Sequence, residues 1–212
     1  MTDLLQNDLN RPQRYWYVDG LAEMAGGAVI TLIGLVYAVS GWLPQGLARG
    51  LLIGPGQIII ILGAGLLARW AVPRLKERLT YPRTGYVEYQ RPVRSRRLAR
   101  VFMAGLLGFA ITVLTAFLGR GLPERLWSFF IGLTLALAFA YLGARIGLPR
   151  FYALAGFSLL LGAAGSWLNL PDPWSAAFIF GLEGLAWLVC GALVLRHYLR
   201  STRPLEGEDL DE

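Results

Sequence analysis

The sequence predicts an all-α, polytopic membrane protein with six transmembrane helices arranged as three tandem hairpins. Two observations carry the class and a third the arrangement. First, 55% of the 212 residues are hydrophobic and only 16% are charged, with a mean hydropathy of +0.49, which is too apolar for an ordinary water-soluble domain. Second, the apolar residues gather into segments of about 20, the length a helix needs to cross a hydrocarbon core of about 30 Å. Third, one outline recurs inside that apolar sequence: Leu-Pro, then Ile-Gly or Phe-Gly, then Gly-Ala. The copies are Leu43-Pro44, Ile53-Gly54, Gly63-Ala64; Leu122-Pro123, Ile131-Gly132, Gly143-Ala144; and Leu170-Pro171, Phe180-Gly181, Gly191-Ala192.

In chain order the predicted spans are 21–43, 50–71, 98–118, 126–144, 151–168 and 174–195, of which the fifth is the shortest. Short cytoplasmic loops retain Lys and Arg. Six spans put 17 of the 20 basic residues on one side, leaving Arg49, Arg120 and Arg125 on the other. Both termini are then cytoplasmic, and an odd number of spans would break the asymmetry. The chain divides into a cytoplasmic N-terminal segment (1–20), a transmembrane region (21–198) holding a basic cytoplasmic loop (73–97), and an acidic tail (199–212). Residues 1–20 are polar and show no apolar run with a cleavage site, so span one is expected to act as its own insertion signal.

Within the first span Gly20, Gly27, Gly34 and Gly41 recur every seven residues, and Gly184 and Gly191 keep the same interval in the last. A stripe of small residues lets helices approach closely, which in lipid supplies the packing that hydrophobicity cannot. The stripes are therefore read as packing surfaces and are compatible with a homodimer. Tyr15, Trp16 and Tyr17 precede span one, and Trp42, Trp127, Trp167 and Trp174 fall near the predicted outer ends, where amphipathic rings prefer the headgroup level.

The loop 73–97 has a turn-forming centre, Thr80-Tyr81-Pro82-Arg83-Thr84-Gly85-Tyr86, expected to make a small turn or two-strand hairpin. Beyond it stand Arg91, Arg94, Arg96 and Arg97, which would attract anionic lipid headgroups by about 1 kcal/mol per basic residue close to the surface. The bland alternative is a topology signal and nothing more. This loop, together with Arg14-Tyr15-Trp16-Tyr17-Val18-Asp19-Gly20-Leu21-Ala22-Glu23, resembles bacterial multi-span integral membrane proteins of unknown function that carry a Tyr-Pro-Arg-Thr-Gly-Tyr cytoplasmic loop. The resemblance implies a bacterial plasma (inner) membrane and brings no activity or catalytic residue with it. The tail carries Glu206, Glu208, Asp209, Asp211 and Glu212, a composition of solvated, disordered ends.

Glu183 is the residue most able to carry chemistry. An acid near the middle of a span costs about 2.5–3.5 kcal/mol on insertion scales, so such residues face the bundle interior or a watery cavity. The repeat places Gln57 and Thr134 at similar depth, and Gly54-Pro55-Gly56 weakens the helix beside Gln57. A shared polar site of Glu183, Gln57 and Thr134 is one expectation; a neutral, structural Glu183 is the other. Glu23, at the edge of span one, is expected to pair with Arg69 or a loop arginine. No metal site or cofactor is expected. Cys190 is the single cysteine and His197 the single histidine, so a His-Glu-x-x-His zinc site and a haem bundle lack their ligands. No catalytic motif supports an enzyme, and topology explains the net charge of +6 without a nucleic-acid partner. Two functions remain. One is a small transporter or channel-like protein moving a small solute or cation past Glu183. The other is a non-catalytic scaffold or regulator whose basic loop binds membrane lipids or a partner protein.

Overall fold

A computed structural model describes residues 16–81, 123 and 125–202. The predicted third span, most of the basic loop with Arg91, Arg94, Arg96 and Arg97, and the acidic tail lie outside the described residues. Those described form five helices and no strand: α1 (Leu21–Trp42), α2 (Leu47–Leu79), α3 (Arg125–Ile146), α4 (Pro149–Trp167) and α5 (Trp174–Ser201). Four of them, α1, α2, α3 and α5, are long and apolar enough to cross a membrane. Among the described residues there are thus four such helices against the six spans expected. The predicted fifth span does fold, as α4, yet Arg150, Tyr152, Ser158 and Ser166 dilute its hydropathy. Its Phe151, Leu154, Ala155, Ser158, Leu161, Gly162 and Gly165 are buried, so protein rather than lipid surrounds much of it.

Local chemistry sets the helix ends. Asp19 Oδ1 accepts the Leu21 N–H at 3.1 Å, satisfying one of the orphan donors at the start of α1. Gly147 closes α3 in the left-handed region at φ 74°, its N–H bonding to Gly143 O at 2.8 Å, the conformation glycine supplies at a helix C-terminus. Pro149 then opens α4, where its missing N–H is not needed.

The helix α2 departs from its predicted form at both ends. Gly54-Pro55-Gly56 widens it into a π-helical stretch, Leu52–Gly56, in place of breaking it. Pro55 cannot donate to the ordinary ladder, and longer-range bonding absorbs the lost donor. At the other end the helix runs through Pro73 to Leu79, so the basic loop begins later than predicted.

Packing follows the glycines. α1 and α5 lie antiparallel, and each glycine of the α1 stripe occupies space that a side chain would fill: Gly20 against Gly191, Gly27 against Gly184 and Leu188, Gly34 against Gly181, and Gly41 against the Trp174 ring. The closest partner of α1 is therefore α5, and α2 packs more loosely. Residues Gly132 and Gly162 bring α3 and α4 together in the same way. Where α3, α4 and α5 converge, Phe139, Phe151 and Trp187 form an aromatic cluster, Phe139 meeting Trp187 edge-on at 5.1 Å.

The bundle has two distinct ends. At one, Trp16–Gly20 meets Lys76 and Thr80 of the α2 terminus and Arg150 of α4. At the other, Trp42 and Trp174 rings lie 6.4 Å apart and Arg49 reaches Asp172 at 3.6 Å. That carboxylate is 77% exposed, so the pair contributes at most about 1 kcal/mol.

Candidate functional site

Glu183 lies where α5 faces α1 and α4, with no exposed surface. Neither carboxyl oxygen has a hydrogen-bond partner among the described residues, and none of their ion pairs reaches it. Ser158 of α4 is the neighbouring hydroxyl, but it donates to Leu154 O at 3.0 Å and makes no well-aligned bond to the acid. On the α1 side, Gly184 abuts Thr31, whose hydroxyl donates to Gly27 O at 2.9 Å. One turn along α5 from Glu183, the Trp187 Nε1 is likewise buried and unpartnered. An ionised carboxylate without a counter-charge in such surroundings costs several kcal/mol.

The two predicted companions of Glu183 are placed differently. Thr134 is exposed on α3 and returns its hydroxyl to Phe130 O at 2.8 Å. Gln57 is half-buried at the start of the regular part of α2, whose neighbour is α1. Of the three, Glu183 alone stands in the bundle core. His197 is exposed near the end of α5, and among the described residues no three His, Cys, Asp or Glu side chains converge as metal ligands would.

A second polar centre, which the sequence reading did not assemble, closes the Trp16 end. Asp19 is fully buried and Lys76 is 3% exposed, with Lys76 Nζ 2.7 Å from Asp19 Oδ2. The same ammonium donates to Trp16 O at 2.9 Å and lies 4.6 Å from the centre of the Trp16 ring, while Thr80 Oγ1 donates to Asp19 Oδ2 at 2.9 Å. Such completeness is what a buried ion pair needs to offset its desolvation.

Beside it, Arg150 donates through Nε to Glu23 Oε1 at 2.7 Å and through Nη2 to Tyr17 O at 2.5 Å. Glu23 thus finds the arginine at the start of α4, while Arg69 is exposed elsewhere. Burial, reinforced by the Glu23 charge and opposed by Arg145, pushes the Tyr17 phenol above its ordinary range. The available signal was Asp19 and Glu23 one helical turn apart; their partners lie far off in sequence.

Set against protein-family models, curated proteins and solved structures, the chain matches none. Its function is read from its own residues.

Proposed function

We propose that this chain is a multi-pass protein of a bacterial plasma membrane that moves protons or a small cation by way of Glu183. The carrying observation is the fully buried carboxyl with no partner for either oxygen among the described residues. Acidic residues inside a membrane segment commonly mark ion and proton pathways. Gln57 and Thr134 remain accessory candidates, with Glu183 as the centre.

The six-span, three-hairpin topology belongs to the same proposal. Thr80 bonds Asp19 at the Trp16 end. The opposite terminus of the bundle is where α3 begins, because its last residue, Ile146, joins Phe151 in the core and Phe151 touches Tyr17. We therefore read 98–118, the apolar run of spanning length between them, as the segment that joins the two ends. Arg69, Arg74, Lys76, Arg78, Arg145, Arg150, Arg196 and Arg200 fall toward the Trp16 end, against Arg49 and Arg125 toward the other. This asymmetry supports a cytoplasmic Trp16 end.

A second reading is a scaffold or regulator presenting Arg91, Arg94, Arg96 and Arg97 to lipids or a partner protein. It draws on one observation: the buried Asp19–Lys76 pair gives the basic loop a fixed base where it leaves α2. The experiment that separates the readings is ion and proton flux in proteoliposomes, native protein against Glu183→Gln.

A further inference from the structure

We propose that the groove at the Trp16 end, between Val18, Arg150 and the last turns of α5, holds the phosphate headgroup of an anionic membrane lipid. The cavity has a volume of about 480 Å³ and is lined by Val18, Arg150, Leu193, Val194, His197, Tyr198 and Ser201. Its two halves differ in chemistry. Val18, Leu193 and Val194 form an apolar part, and Leu193, 59% exposed, opens it toward the lipid-facing surface of α5. Arg150 and His197 line the other part together with Ser201, whose hydroxyl donates to Tyr198 O at 3.2 Å. An apolar wall beside a guanidinium, at the end of a membrane-length helix, combines the chemistries of a lipid's acyl chain and phosphate.

Arg150 is pre-positioned for the role. Its Nε and Nη2 are held by Glu23 Oε1 and Tyr17 O, which fixes the guanidinium plane and leaves Nη1 without an acceptor among the described residues. The Glu23 side chain is fully buried while that of Arg150 is 24% exposed, so the groove sees the cation more than its partner. Arg196 and Arg200 flank His197 on the exposed face of α5. The remaining Nη1 can donate a charge-assisted hydrogen bond to a phosphate oxygen, and neighbouring cations add attraction near an anionic leaflet.

The inference rests on the membrane reading and not on transport by Glu183. The test is native mass spectrometry of the purified full-length protein with phosphatidylglycerol or phosphatidylcholine of identical acyl chains. One phosphatidylglycerol per chain is expected to be retained about fivefold over phosphatidylcholine, the ratio given by about 1 kcal/mol of headgroup charge. His197→Ala should lower that ratio, and Ser201→Trp, which fills the groove from an exposed position, should abolish it. Arg49→Gln at the opposite end and Glu183→Gln in the core should leave it unchanged, so failure of the transport reading does not disturb this one. Equal retention of the two lipids, or indifference to Ser201→Trp in a protein of native helix content, overturns the proposal. Displacement of the lipid by millimolar inorganic phosphate would assign the site to a free anion. Retention that appears only after removal of 205–212 would assign it to the acidic tail; both results contradict the lipid.

Discussion

A methyl group built on Gly34 of α1 would come within 2.6 Å of the Cα of Gly181 on α5, whereas one built on Gly181 meets nothing within 4 Å. Two glycines facing each other across one interface are therefore not equivalent: only the first is needed for backbone approach. Gly34→Ala should cost about 1–3 kcal/mol, the range of overpacking in a close-fitted interior, and Gly181→Ala should be close to neutral. Unfolding midpoints in mixed micelles measure both; equal losses would mean that α1 and α5 do not meet in this register.

The Asp19–Lys76 pair gives a second contrast. Removing one partner leaves a buried charge unpaired, so Lys76→Met should destabilise by about 3–5 kcal/mol. Adding Asp19→Asn removes the stranded charge; its amide oxygen still accepts from Leu21, while its Nδ2 can only donate toward the Thr80 hydroxyl, so the double variant should recover part of that loss. If the double variant is as weak as the sum of the singles, Lys76 and Asp19 are not coupled.

Topology is testable with single cysteines in a Cys190→Ser background. Gly46 and Ser201 are both exposed and lie at opposite ends of the bundle. In intact cells a membrane-impermeant thiol reagent should modify a cysteine at 46 and spare one at 201. Labelling of both from outside would sink the orientation.

How much of this was legible in the sequence depends on which physical signal survives in lipid. The seven-residue glycine stripe of α1 announced close packing, because small residues serve that purpose wherever helices meet. That α5, and not the next helix in the chain, would receive it was not legible, since the partner lies some 150 residues away and spacing carries no address. Glu183 was legible as buried because a carboxyl is costly in lipid. Thr134 and Gln57 were not separable from it by depth alone. In a helix apolar all round, hydrophobic periodicity cannot say which face is inward, and Thr134 faces outward with its hydroxyl bonded to its own helix. Asp19 and Glu23 showed their charge, but Lys76 and Arg150 are supplied by the fold. The Gly54-Pro55-Gly56 stretch was correctly read as irregular; its resolution as a wider helical turn depends on backbone bonding that residue type does not specify.

The central claim is that Glu183 takes part in ion movement. Its most direct test is proton and cation flux into proteoliposomes, measured across pH for the native protein and for Glu183→Gln. The amide matches the acid in size and still donates and accepts hydrogen bonds, so the variant should keep native helix content and thermal midpoint. If Glu183 carries the ion, native vesicles should show flux above empty liposomes and the variant should fall to the empty level. Flux unchanged by the substitution, or none in the native protein beside a variant of unchanged stability, would contradict the account.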